Sequence, residues 1–191
     1  PGAKITLARL DAILARYLRR DAETGGPLMP DPDLLEASFG DRPGDRFPPA
    51  ELGEFRLRGA IDRIDVADGQ GLIRDYKLSA KVTAGAKLVE EGKLQLPLYM
   101  LAARGFGIEP IGALYSPLAA STEDRPRGLL AKDHKGGLIP GEKEAHVGTD
   151  FKEPDELAAI VDEALAEATR VVGEIRVGWI DRNPRGGSCP T

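Results

Sequence analysis

One cysteine, Cys189, stands in the whole chain, so no intrachain disulfide can form and stability has to come from packing. Histidine is nearly as scarce, with only His134 and His146. No apolar run approaches the roughly 20 residues of a membrane span, and the first residues carry no hydrophobic leader, which gives the chain a cytoplasmic character. An excess of positive charge is missing as well. With 26 Lys and Arg against 31 Asp and Glu, the net charge is −5. That balance excludes a simple DNA-coating protein, whose basic stripe supplies the phosphate contacts. It does not exclude a catalyst acting on phosphates, provided that metal ions offset its carboxylates or other domains deliver the nucleic acid.

What is present fits one domain: 191 residues, 41% hydrophobic and 30% charged, enough for a core and a solvated surface. Ile5 to Arg20 places Leu7, Leu10, Ile13, Leu14, Tyr17 and Leu18 at helical spacing. Gly25-Gly26-Pro27 ends that helix, and residues 21–33 read as a loop. A short first strand is expected at 34–39. Residues 55–66 and 71–78 read as a strand pair joined at Asp68-Gly69-Gln70-Gly71. Residues 84–105 read as mostly helical, with the main helix starting near Gln95 because Pro97 is tolerated only in a first turn. A strand follows at Ile111 to Tyr115, then a polar excursion over 121–152 that holds both histidines. Pro154 opens an amphipathic helix to about Val172. The order α-β-β-β-α-β-α implies an α/β fold around a small mixed sheet.

The chemistry is concentrated in Gly59-Ala-Ile-Asp-Arg-Ile-Asp65 and Leu72-Ile-Arg-Asp-Tyr-Lys77. Residues i and i+2 of a strand share a face, so Asp75 and Lys77 point one way and Tyr76 the other. If the two strands pair antiparallel, Asp62 comes beside Asp75. Two carboxylates can hold a hard divalent cation, and a neighbouring ammonium can steady charge developing on a phosphate. An isolated Asp…Asp-x-Lys is more often a set of solvated charges on hairpin strands. Here the pattern follows the apolar Leu72-Ile73 and precedes a helix on which Gln95 and Tyr99, four apart, share a face.

Together, in order and spacing, G-A-I-D-R-I-D, I-R-D-Y-K and Q-L-P-L-Y resemble the PD-(D/E)xK nuclease superfamily, in particular the RecB/AddB-type nuclease domain of bacterial helicase–nuclease subunits. The resemblance covers residues 34–115 best. It implies a restriction-endonuclease-like α/β core, a small mixed sheet flanked by helices. It also implies a Mg²⁺- or Mn²⁺-dependent deoxyribonuclease of exonuclease type, acting in double-strand-break repair on single strands that emerge from helicase domains or a partner subunit. By the same resemblance Asp62 and Asp75 are metal ligands, the Tyr76 carbonyl adds a third, and Lys77 is the catalytic lysine. Gln95 and Tyr99 position the lysine or the DNA. Glu36 aligns with a glutamate on the family's first strand, an ordinary surface carboxylate being the equal alternative. Asp65 is expected to be structural.

The chain departs from the family pattern in two places. The family's metal-binding histidine lies on a helix before the first strand, and no histidine precedes Glu36 here. His134 and His146 follow the motif and are expected to be loop residues, not substitutes. The AddB-like branch also carries four cysteines around an iron–sulfur cluster. Cys189 matches the approach to the first of its terminal group, but one thiol cannot hold a [4Fe–4S] cluster. The expectation is a single nuclease domain over 1–191, trimmed at both ends. Its parts are an N-terminal helix and loop (1–33), a catalytic core (34–120), a loop excursion (121–153) and a C-terminal helix and tail (154–191). The alternative is a catalytically inactive module of the same fold that binds DNA or a partner subunit.

Overall fold

A computed structural model describes residues 2–23, 26–78, 82–118, 125–142 and 145–179. Cys189 and the tail from residue 180 onward lie outside the described residues. Helix α1 spans Gly2–Glu23, and strands follow at Met29–Phe39 (β1), Ala50–Leu52 (β2), Phe55–Leu57 (β3), Gly59–Ala67 (β4) and Gln70–Lys77 (β5). Helix α2 (Gln95–Gly105) leads to β6 (Glu109–Pro117), β7 (Arg127–Ala131), β8 (Phe151–Lys152) and α3 (Pro154–Arg176). Six strands form a mixed sheet in the order β1-β4-β5-β6-β7-β8, and β2 and β3 form a separate small hairpin. This is the expected α/β architecture with more strands than the sequence pattern suggested.

The central hairpin follows from its turn. Asp68 (φ 50°) and Gly69 (φ 78°) both have positive φ, the conformation that an Asp-Gly pair adopts most easily between twisted antiparallel strands. It sets the register Ala67–Gln70, Ile64–Ile73 and Arg63–Arg74. Strand β6 then joins β5 in parallel, which demands a crossover, and α2 supplies it. Ile61, Ile64, Leu72, Ile73, Leu114, Leu129 and Leu130 are fully buried and make the sheet interior. Helix α3 begins with Pro154 at its first turn and acidic Asp155 and Glu156 against the positive end of its dipole. Its buried residues Leu157, Val161, Ala164 and Ala168 recur at helical spacing.

Four segments differ from the sequence expectation. The first strand starts at Met29, not residue 34, because Met29 and Pro30 already pair with Val66 and Asp65 across a register irregularity. The strand expected over 55–66 is broken at Arg58 into β3 and β4, which belong to different sheets. Residues 84–94 are not part of a long helix. A single 3-10 turn at Gly85–Lys87 gives way to turns around Gly92, whose φ of 68° ends helical geometry before α2 begins. The excursion expected over 121–152 contains β7 and β8, because Gly128 to Leu130 pair with β6 and Leu130 with Phe151.

Candidate active site

The sheet splits where the motif residues lie. Hydrogen bonding between β4 and β5 stops at the pair Arg63–Arg74. Beyond it, β4 continues against β1 as far as Gly59–Phe39, and β5 continues against β6 as far as Lys77–Pro117. Asp62 and Asp75 occupy the next register step, at the mouth of this fork. There the Asp62 side chain replaces the missing ladder: the Tyr76 N–H donates to Asp62 Oδ2 at 2.7 Å. The N–H and C=O of one strand residue face the same edge, so the Tyr76 carbonyl opens into the fork as well. Lys77, one residue on, faces β6, and its carbonyl accepts the Leu118 N–H at 2.8 Å.

Side-chain alternation sorts the motif onto two faces. On the α2 face, Gln95 Nε2 donates to Asp75 Oδ1 at 2.7 Å, and Lys77 Nζ donates to Gln95 Oε1 at 3.1 Å. Gln95 Nε2 also donates to the Tyr99 hydroxyl at 3.2 Å. Lys77 Nζ lies 2.5 Å from Asp75 Oδ2 as an ion pair and 4.9 Å from the centre of the Tyr115 ring. Burial pushes the Tyr115 hydroxyl up to about 12, with the Asp75 charge adding to it, so the ring below Lys77 stays neutral. Asp75 is buried, and that burial raises its carboxyl above the usual carboxylate range. Lys77 opposes the shift, while the nearby Asp62 charge adds to it.

The opposite face of the same strands carries a buried charge cluster. Arg63 and Arg74 stand directly across from each other, an arrangement that repels unless anions intervene. Asp65 supplies one, accepting from Arg63 Nε and, at 2.5 Å, from Arg74 Nε. Asp21, from α1, supplies the other, at 2.7 Å from Arg63 Nη1 and 3.8 Å from Arg74 Nη1. Burial works against the Arg63 charge, but its hydrogen bonds to Asp65 and Asp21 outweigh that and raise its pKa. Tyr76, on this face, meets the Tyr17 ring edge-on at 5.5 Å. The residue whose N–H holds Asp62 is thus packed against α1 from behind.

Asp62, Asp75, Lys77, Gln95 and Tyr99 therefore converge at one place, with the Tyr76 carbonyl beside them. Glu36 does not join them. It lies on β1 between the pairs Leu35–Arg63 and Ala37–Ile61, exposed and with a positive φ of 48°. No hydrogen bond or ion pair among the described residues links it to Asp62, Asp75 or Lys77. Asp65 is nearly fully buried between the two arginines. His134 closes the 3-10 turn Lys132–His134, and His146 is buried against the Phe151 ring on the Arg74 side of the sheet. Neither histidine reaches the fork. Sequence reasoning missed Asp21, Tyr115 and the bidentate Arg127–Asp150 pair that ties the chain before β8 to β7 (2.8 and 3.1 Å). No local pattern marks residues that meet only through the fold.

The donor set suits a hard cation: two carboxylates and a backbone carbonyl, all oxygen. Asp75 Oδ2 is buried and, apart from its ion pair with Lys77, accepts no directed hydrogen bond from any described residue. Among the described residues there is no cluster of three or more His, Cys, Asp or Glu side chains arranged for a metal.

The chain that builds this fork matches the PD-(D/E)XK nuclease superfamily over residues 2–191. The chain belongs to the PD-(D/E)XK nuclease superfamily. It is also similar to an ATP-dependent helicase/deoxyribonuclease subunit of Moorella thermoacetica. The two are 32% identical over 230 aligned positions, covering 94% of this chain and 19% of that protein. The chain thus spans about a fifth of the relative's length. Its six-stranded mixed sheet with flanking helices is the superfamily's fold. No described helix is long and apolar enough to cross a membrane.

Proposed function

We propose that the chain is a divalent-metal-dependent DNA nuclease domain that hydrolyses phosphodiester bonds with Mg²⁺ or Mn²⁺. The observation that carries this reading is the convergence of Asp62, Asp75 and Lys77 at the sheet fork of a nuclease-superfamily member. Asp62, Asp75 and the Tyr76 carbonyl hold the cation. When bound, it supplies a Lewis acid for the scissile phosphate and an acidified water. Gln95 fixes the rest of the geometry, because one amide orients both the Asp75 carboxylate and the Lys77 ammonium. Lys77, set between Gln95 and the Tyr115 ring, donates to the phosphate oxygen on which negative charge develops as the P–O bond breaks. Tyr99 holds Gln95 from the next turn of α2.

Similarity to a helicase/deoxyribonuclease subunit supports a place beside helicase domains or a partner subunit. A cytoplasmic role in double-strand-break repair, with exonucleolytic cutting of single strands, belongs to the same proposal. A second reading is a nuclease-fold module that binds DNA or a partner without cutting. It draws on the absence from this sequence of any histidine before Glu36, where the family pattern has a metal ligand. One assay separates them: cleavage of end-labelled single-stranded DNA with Mg²⁺ or Mn²⁺, beside an EDTA control and Lys77→Ala. Metal-dependent cutting that is lost in the variant is expected. A folded chain that binds DNA yet leaves it intact with either metal supports the second reading.

A further inference from the structure

We infer that a cationic groove running from Lys77 past Lys87 and Lys93 is the track for the sugar–phosphate backbone of one DNA strand. The inference rests on the nuclease reading and assigns residues that the motif does not contain. The groove, about 790 Å³, begins at Lys77 and Gln95 and is lined by Lys87, Lys93, Glu91, Tyr115 and Arg127. Four cations thus face one carboxylate in a chain whose net charge is −5. Arg127 is held by Asp150, and Glu91 accepts a hydrogen bond from the Thr83 hydroxyl at 3.0 Å. Lys87 and Lys93 are different. Both are exposed, and neither makes an ion pair or side-chain hydrogen bond with any described residue.

The fold itself brings these lysines near the fork. A Cβ on Gly85 would lie 1.8 Å from the Gly128 carbonyl oxygen, so only glycine lets this segment press against β7. That contact seats the turn bearing Lys87 beside the sheet. Lys93 is fixed by its own N–H, which donates to the Leu88 carbonyl at 2.7 Å, and Leu88 is fully buried. Two free ammonium groups on anchored backbone line one groove with Lys77, where the phosphates of a bound strand can meet them. Phosphate contacts of this kind position a strand without reading its bases. They also reconcile an acidic chain with a polyanionic substrate, since the positive field is local to the groove.

The test is binding of a fluorescent single-stranded oligonucleotide in EDTA, titrated against salt, for the wild type and for Lys87→Ala/Lys93→Ala. Each lost phosphate contact on single-stranded DNA makes the plot of log K against log salt shallower by about 0.7. The double variant should therefore lose about 1.4 from the slope and bind about 20-fold more weakly near 0.1 M salt. Arg104→Ala/Lys132→Ala, which removes two cations at the far end of the sheet, should leave the slope unchanged. Circular dichroism confirms that both variants are folded. An unchanged slope in Lys87→Ala/Lys93→Ala, with a wild type that cuts DNA, overturns the track alone. An equal loss in the control pair also overturns it, because only net charge would then matter. A wild type that binds with the expected slope but never cuts sinks the nuclease reading and leaves the track standing.

Discussion

At the scale of single residues, Gln95 has the most to do. Its amide donates to Asp75 and accepts from Lys77, so an ordinary uncharged side chain sets the spacing of the two charges. Hydrogen bonds to charged groups contribute about 1.5–3 kcal/mol. Gln95→Ala should therefore slow metal-dependent cleavage about 10- to 100-fold. Thermal unfolding should move little, because Gln95 is only partly buried. Rates under saturating metal, beside a melting curve, check this; an unchanged rate would remove Gln95 from the site. The sequence picked out this residue from its four-residue spacing to Tyr99. It could not show that the amide bridges two strand residues, since that depends on where α2 lands on the sheet.

At the scale of elements, the β4–β5 hairpin presents Asp62, Asp75 and Lys77 on one face and a charge clamp on the other. Asp65 is the shared anion between Arg63 and Arg74. Asp65→Ala leaves two buried guanidinium groups opposed, with only Asp21 to separate them. Removing one partner of a buried pair costs about 3–5 kcal/mol. A urea denaturation midpoint lowered to that extent is the expected result, and a change below about 1 kcal/mol would show that the clamp contributes little. The D-R-I-D and R-D-Y-K strings were readable as strands from their alternation. Their second role was not, because Asp21 reaches the clamp from a helix more than forty residues earlier.

At the scale of the whole molecule, the buried His146 gives stability a distinct pH dependence. Burial, and then the Arg74 charge, lower its pKa to about 4 from an ordinary value of 6.5. The folded state thus resists a proton that the unfolded chain accepts readily. Stability from this group is complete above pH 6.5 and falls as the pH drops towards 4. Between pH 7.5 and 5 the loss should be about 2 kcal/mol. In His146→Gln that part of the decline should disappear, as read from urea midpoints at the two pH values. An identical decline in the variant would assign it to the carboxylates. The molecule also exposes an apolar stripe: Leu7, Leu10, Leu14 and Leu18 of α1, which the sequence places at helical spacing, are all exposed. Helix α1 meets the sheet chiefly through Tyr17, Arg20 and Asp21 near its C-terminal end.

The sequence by itself determined the local elements whose signals are short-range. The Asp68-Gly69 turn fixes the hairpin register, strand alternation puts Asp75 and Lys77 on one face, and Pro97 and Pro154 mark where two helices begin. Those rules need only neighbours along the chain. The tertiary structure alone decided that β4 and β5 part after Arg63–Arg74, because each finds a different partner, β1 and β6. It likewise brought Asp21 behind the site, Tyr115 beneath Lys77, and Lys87 and Lys93 beside it. These contacts join residues distant in sequence, and their positions depend on how helices pack and which strands pair.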